Sequence, residues 1–402
     1  MNIYIIGGGA AGFFAAIRHK SLYPTHEVTI LERQTKVLAK VEISGGGRCN
    51  VTHNCLEIKD LVKNYPRGQK ELMSVFQRFD VQDTIDWFQS RGVKLKTEAD
   101  NRMFPVSDSS KTIIDCLWKE AMKLKVHILT GSALKKITYL PETETFMLTS
   151  HKHTFPADKL IIATGSSGQM WEMLRELGHN IVEPVPSLFT FQIKDERLTD
   201  LEGISFDEVV ANVEGTKLEE KGALLITHWG LSAPAILRLS AWGARILHEK
   251  GYHFSLKINF LPKYNPESLK AFFLSFKEKS PKKQVSSNTL LDLPTRFLKK
   301  MVAASGISDT LVWADTSKKQ LQALTENLTA AMFEVTGKSA FKEEFVTCGG
   351  VERKEIDFKT MQSKKYKNVY FCGEVIDIDA ITGGFNFQAA WTTGWIAGEG
   401  KE

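Results

Sequence analysis

The chain opens Ile3-Tyr4-Ile5-Ile6-Gly7-Gly8-Gly9-Ala10-Ala11-Gly12, an apolar strand running straight into Gly-x-Gly-x-x-Gly at 7–12. A glycine hexapeptide alone means little, but here the flanks supply a context. Residues Phe13 to Leu22 keep apolar side chains at helical spacing, Val28–Leu31 reads as a second strand, and Glu32 ends it, 20 residues past Gly12. Strand, tight turn, helix and acid-tipped strand are the first half of a dinucleotide-binding unit. Gly7, Gly9 and Gly12, with the small Ala10 and Ala11, let backbone N–H groups approach a pyrophosphate at the helix N-terminus. Glu32, followed by Arg33, accepts from ribose hydroxyls, and its charge argues against a 2′-phosphate there.

Two later patches point to the same ligand class. In Lys40-x-x-x-Ser44-Gly45-Gly46-Gly47-Arg48-Cys49-Asn50, three glycines leave backbone open to a planar anion. Lys40, Arg48 and Asn50 supply donors for phosphate or flavin carbonyl oxygens. Near the C-terminus, Gly373-Glu374 follows a strand, and Asp377, Asp379 and Gly383-Gly384-Phe385-Asn386 lead into a helix. A helix N-terminus aimed at a flavin pyrimidine edge stabilises the negative charge that grows there on reduction, and the carboxylates suit ribityl hydroxyls. Thr164-Gly165, ending the buried run 159–163, completes the set. The expectation is an FAD-binding oxidoreductase whose dinucleotide fold is opened by residues 1–50 and closed by residues 365–402.

Composition agrees with a folded enzyme. At 402 residues, with 43% hydrophobic and 25% charged residues, the chain calls for two or three domains. No apolar run reaches the roughly 20 residues that span a bilayer, and the first residues carry no basic leader. Five scattered cysteines suit reduced thiols, so a soluble cytoplasmic protein is expected. The net charge of +5 is uneven: residues 251–340 hold 13 Lys/Arg against 7 Asp/Glu, a balance of +6. That excess reads either as a polyanion-binding face or as solvated helices.

Between the cofactor patches, helices are expected over 70–91 and 110–123, a small antiparallel sheet over 126–157, and a strand at 368–372. A helix opened by Gly383-Gly384 runs through Trp395, its small residues Ala389, Ala390, Gly394, Ala397 and Gly398 allowing close packing. An inserted domain spans 190–340, with strands near 188–194, 206–214 and 252–260 and helices at 267–279, 290–304 and 318–335.

Taken together, GGGAAG at 7–12, KxxxSGGGRCN at 40–50, NRMFP at 101–105, ATG at 163–165, THWGLSAP at 227–234, VTCGGV at 346–351 and GEVIDIDAITGGFNFQ at 373–388 resemble the BaiN/RdsA and aminoacetone-oxidase-like family of FAD-dependent oxidoreductases. The resemblance runs along most of the chain. It implies an α/β fold: a discontinuous, glutathione-reductase-like FAD-binding Rossmann domain (1–189 and 341–402) and an inserted β-barrel plus helical domain (190–340) covering the flavin. It also implies one non-covalent FAD and an organic substrate over it, with three candidate activities: reduction of C=C bonds in steroid-like molecules, reduction of uridine to dihydrouridine in ribosomal RNA, and oxygen-dependent oxidation of a small amine. A non-catalytic flavin sensor is the reading outside enzymes. No second nucleotide motif is visible, so NAD(P)H would act as a transient reductant. The basic 251–340 segment favours ribosomal RNA as the partner. The sequence departs from the family at Asn101, Ala233 and Ala380, where glycine is common.

Catalytic candidates are fewer. Cys49 beside Arg48 is a candidate proton donor, and His228 a candidate on the substrate side. Cys49 and Cys55 are spaced C-x5-C, which disfavours a flavin-linked disulfide. His151 and His153 lack partners for a metal site. Ser232 before Pro234 reads as a helix cap, and Arg102 as either an ion pair or an anion contact.

Overall fold

A computed structural model describes residues 1–287, 291–338 and 346–401. The chain forms two compact units, Met1–Val185 with Val346–Glu402, and Pro186–Phe345. The expected boundary at 340/341 lies outside the described residues, as does the start of the helix expected at 290.

The first unit is a Rossmann layer. Its sheet runs Ile356–Asp357, Gln362–Ser363, Val369–Phe371, Lys159–Ile162, Asn2–Ile6, Glu27–Leu31, His127–Leu129. The last five are parallel, with Ile3 opposite both Lys159 and Val28, and Leu160 opposite Val369. Parallel strands need crossovers and cover on both faces. The helix Ala10–Leu22 makes the first crossover, and Phe385–Glu399, from the far end of the chain, packs against it. A Cβ built on Gly394 would sit 2.6 Å from the Ala11 carbonyl oxygen, and one on Gly398 2.6 Å from that of Ala15. Only glycine lets the two backbones approach so closely. Phe14 seals the contact, its ring 4.9 Å from Trp391 and 4.4 Å from Trp87.

The far ends of these two helices are latched by histidine. His19 Nδ1–H donates to the Gly398 carbonyl oxygen at 3.0 Å, leaving Nε2 to accept from His26 Nδ1–H at 3.0 Å. Burial holds the His19 pKa down at about 4 against 6.5, with His26, Lys159 and Lys20 adding repulsion. Its folded pKa lies below its unfolded one, so this stabilisation is full above pH 6.5 and is lost as pH falls from 6.5 to 4. The loss should total about 3 kcal/mol at most. Thermal unfolding followed from pH 7 to pH 4.5 should show a steeper fall in Tm for the parent than for His19→Gln; parallel pH profiles would remove the latch.

The second unit contains a closed barrel in the order Phe191–Ile193, Gly230–Ser232, Glu219–Thr227, Ser205–Val213, Phe254–Asn259, Ala331–Lys338. It is accompanied by helices Pro234–Trp242, Ala244–Glu249, Pro266–Lys279, Thr295–Ala304 and Lys318–Thr329. Inward barrel residues such as Val209, Ala211, Leu224, Ile226, Leu256 and Phe333 share one core with Phe273, Phe297, Met301, Leu324 and Trp313 from the helices.

Several expected elements differ. The helix expected at 318–335 stops at Thr329, and Ala331–Lys338 is a strand. Leu321, Leu324, Leu328, Ala331 and Val335 keep helical spacing, yet beyond 330 burial alternates Ala331 in, Met332 out, Phe333 in, Glu334 out. The 70–91 stretch is two helices, Gln69–Phe76 and Val81–Gln89, because Asp80 and Asp83 form a reciprocal capping box that starts the second afresh. His127–Leu129 joins the parallel sheet, leaving Leu134–Leu140, Thr145–Ser150 and Thr154–Ala157 as the antiparallel one. Ser232 lies in a barrel strand, its hydroxyl 3.1 Å from that of Thr190, and Ala233 takes the cap position at φ 79° without a side-chain bond. Ala233 and Asn101 (φ 64°) both stand in left-handed backbone, the region that favours glycine. Among the described residues no helix is long and apolar enough to cross a membrane.

Candidate cofactor site

The glycines of 7–12 divide the labour. Gly7, at φ 111°, could carry no side chain without meeting the Ala163 carbonyl oxygen at 2.5 Å, and a Cβ on Gly12 would lie 2.0 Å from the Gly7 oxygen. These two serve the fold. A Cβ on Gly9 meets nothing within 4 Å, so the space over it is open. Gly9 begins the Ala10–Leu22 helix with neither a capping side chain nor an acid in the first turn. Elsewhere Asp80, Ser167, Asn265 and Ser317 cap their helices with side-chain oxygens. An uncapped, acid-free N-terminus with free space above it suits an anion.

Glu32 sits where the turn needs it. Its Oε2 accepts from Gly8 N–H and its Oε1 from Gln34 N–H, each at 2.8 Å. It lines a cleft with Gly7, Arg33 and Thr164, and with Ser132–Leu134 and Gln169, Met170 and Met173, which the motifs did not reveal. The 132–134 segment arrives by sheet topology: Ser132 N–H donates to the Glu32 carbonyl oxygen at 2.8 Å.

The glycine-rich loop is a helical stretch, Ala39–Gly47, broken at Ser44 (ψ 147°) and continued through left-handed Gly45, Gly46 and Gly47. Gly46 and Gly47 face open space, while a Cβ on Gly45 would lie 3.0 Å from Phe104. The side chains around them are engaged with protein. Lys40 Nζ lies 2.7 Å from Glu374 Oε2, whose other oxygen accepts from Thr347 N–H. Arg48 stacks 4.0 Å over Phe104 and pairs with Glu98 at 2.6 Å. Arg102 resolves as an ion-pair residue, with Asp100 at 2.6 Å and Glu98 at 3.3 Å. Asn50 bridges loops: its amide donates to the Thr52 carbonyl and accepts from Gly384 N–H at 2.9 Å. Cys49 is fully buried, and burial pushes its thiol up to about 12. A thiol so enclosed is a poor proton donor to any ligand, which corrects that expectation. Cys49 and Cys55 are both free thiols.

At the C-terminal patch, Gly373 (φ 73°) lies against Ala11 and donates its N–H to Thr393 Oγ1 at 2.9 Å. A Cβ on Gly165 would lie 3.5 Å from Glu374 Oε2, so these two patches adjoin. Asp379, expected at ribityl hydroxyls, is fully buried in a two-pronged ion pair with Arg67. Asn386, expected at the flavin, clasps the backbone of Ala380 through both amide atoms at 2.9 and 3.0 Å. Phe385 stacks on His53 at 4.5 Å, and His53 Nδ1–H donates to the Gly383 carbonyl oxygen at 3.0 Å. The correction is consistent: these side chains build the cradle rather than reach into it. The Phe385–Glu399 helix, like Ala10–Leu22, starts with no side-chain cap and no acid in its first turn.

His228 lies in the second unit, in the turn between two barrel strands, with 81% of its side chain exposed and Glu202 at 3.6 Å. Among the described residues no cluster of His, Cys, Asp and Glu would hold a metal ion.

A parallel Rossmann sheet, a pyrophosphate-type turn and an acid at the second strand's end define a dinucleotide-dependent oxidoreductase, and the open backbone at Gly9, Gly46 and Gly47 fits FAD. Comparison with known proteins gives the family. The model described as HI0933-like protein Rossmann domain matches residues 1–400, and the chain belongs to that family of FAD-dependent oxidoreductases. It is 26% identical to a 3-dehydro-bile acid delta(4,6)-reductase of Clostridium scindens, over 99% of this chain and 98% of that protein. It is 29% identical to a ribosomal RNA dihydrouridine synthase of Escherichia coli, over 98% of this chain and 96% of that one. In fold it is similar to 3-ketosteroid-delta4-(5alpha)-dehydrogenase from Rhodococcus jostii, with a TM-score of 0.52 at 12% identity, over 100% of this chain and 96% of that one.

Proposed function

We propose that this protein reduces a C=C bond conjugated to a ring carbonyl, with uridine in ribosomal RNA as substrate, FAD as the bound cofactor and NAD(P)H as the electron source. What supports the reading is that two relatives matching over nearly their whole length are named a 3-dehydro-bile acid delta(4,6)-reductase and a ribosomal RNA dihydrouridine synthase. Uracil and a 3-oxo-4-ene steroid ring each place a C=C bond in conjugation with a carbonyl. Bound FAD, once reduced by NAD(P)H, would supply the hydride. The chain's own part is to hold the pyrophosphate over Gly9, engage the ribose through Glu32, and turn the N–H groups of residues 385–387 toward the flavin's pyrimidine edge. We assign FAD to the first unit and the substrate to the second. With Cys49 enclosed and Arg48 ion-paired, His228 is the proposed proton donor on the substrate side.

RNA is favoured over the steroid by the +6 balance of residues 251–340. The test is anaerobic. NADH or NADPH should bleach the flavin, and a ribosomal RNA fragment should recolour it while gaining dihydrouridine by mass spectrometry. Recolouring by a 3-oxo-4-ene steroid and not by RNA would transfer the activity to the steroid. Bleaching by a small amine alone, without nicotinamide, would replace the reductase reading with an oxidase.

A further inference from the structure

The basic excess of the second unit is not spread evenly, and the structure separates its two clusters. Arg296, Lys299 and Lys300 are spent within the protein. Arg296 donates to the Asp200 carbonyl oxygen, Lys299 lies 3.7 Å from Asp309, and Lys300 lies 3.6 Å from Asp200. The other cluster is different in kind. Lys277, Lys279, Lys282 and Lys283 end the helix Pro266–Lys279 and its following turn, and Lys318 and Lys319 begin the helix Lys318–Thr329.

The fold brings these two segments together. Lys277 Nζ donates to the Thr316 carbonyl oxygen at 2.6 Å, Ala314 N–H to that of Pro281 at 2.9 Å, and Trp313 N–H to that of Lys283 at 2.9 Å. Trp313 is buried against Phe273 and Phe276 and fixes the junction. The result is six lysines from two segments at one end of the helical layer. Five of them, Lys279, Lys282, Lys283, Lys318 and Lys319, are exposed. Among the described residues none of the five pairs with a carboxylate, and the acids of the same segments are Glu278 and Asp315.

This arrangement works against stability. Lys318 and Lys319 occupy the first turn of their helix, which contains no acid, although the helix dipole favours acids there. Like charges converging from two segments add repulsion. A cluster that costs the fold, with six lysines against two acids and five of the lysines exposed, is suited to an external polyanion.

We propose that the lysines of 277–283 and 318–319, and not those of 296–300, form the surface that holds RNA phosphates. The inference rests on the RNA reading above and names its docking surface. A lysine set spanning two segments follows a sugar-phosphate backbone by charge and reads no base, so it serves for affinity and does not itself select the base.

The experiment uses FAD-loaded full-length protein and a ribosomal RNA fragment, with binding measured across a salt series. Lys279→Gln/Lys282→Gln/Lys318→Gln/Lys319→Gln should bind about 100-fold more weakly at low salt. Its log–log salt slope should be shallower by about 3, at roughly 0.7–0.9 for each phosphate contact removed. FAD content and bleaching by NAD(P)H should not change. Lys299→Gln/Lys300→Gln should bind as the parent does. If the quadruple variant keeps the parent's affinity and slope, or the 299/300 pair loses as much, this surface is wrong while RNA binding stands. If the parent itself binds no RNA at low salt, the RNA reading falls and takes this surface with it.

Discussion

Gly9→Val should yield a folded protein that purifies without flavin. At φ −91° and ψ −169°, Gly9 has extended backbone that valine adopts readily, and an added Cβ meets no protein atom within 4 Å. The branched side chain would instead fill the space above the helix N-terminus that a pyrophosphate needs. We expect FAD affinity to fall about 100-fold or more, roughly 3 kcal/mol, with the circular dichroism of the apoprotein unchanged. Gly12→Val is the contrast, since its Cβ would overlap the Gly7 carbonyl oxygen and the protein should misfold. Full FAD occupancy in Gly9→Val would show that the phosphates lie elsewhere.

Asp379→Ala should be strongly destabilising. The carboxylate is fully buried against Arg67, itself largely buried, and removing it breaks that buried ion pair. Such a loss costs about 3–5 kcal/mol, which for a domain of this size is a Tm drop on the order of 10 °C. Arg67→Met/Asp379→Leu should recover much of it, because the apolar pair leaves no stranded charge. A ribityl ligand would behave differently: Asp379→Ala would keep the apoprotein's Tm and lose only FAD affinity.

The contrast between Gly9 and Asp379 shows what the sequence made legible. The expectation at Gly9 rests on local grounds: a turn, a helix start and open space over the backbone. The parallel sheet and the long closing helix were legible on the same grounds, through apolar runs and small residues at fixed spacing. For Asp379, Asn386, Asn50 and Arg48 the sequence suggests a ligand, whereas the structure shows each held by a protein partner. A carboxylate near a flavin motif suits a ribityl chain and an arginine equally well, and Arg67 lies 312 residues away in sequence. The barrel strands Glu219–Thr227 and Gly230–Ser232 lie outside the expected elements because three charged residues, Glu219–Lys221, and then Gly222 blur the alternation of the first, and the second is only three residues long. The strand Ala331–Lys338 was taken for helix because its apolar positions continue the preceding helical period. Ser132–Leu134 and Gln169–Met173 carry no motif; their place at the cleft comes from where the sheet returns them.

The cradle is assembled from the two extremes of the chain, and this has a consequence for biogenesis. As the polypeptide leaves the ribosome, Ala10–Leu22 emerges early with its Phe14 face and its Ala11 and Ala15 backbone uncovered. The helix that covers them is made about 370 residues later, and domains otherwise tend to fold in order of synthesis. For that interval the opening sheet lacks its Val369–Phe371 strand as well as its cover, so it waits as an exposed apolar surface. The barrel has no such delay, since its strands lie within one continuous segment, Phe191 to Lys338. The insert can therefore reach its native state before the helix Phe385–Glu399 is made. Premature termination after residue 338 and before residue 385 should leave a folded barrel tethered to an aggregation-prone half-domain.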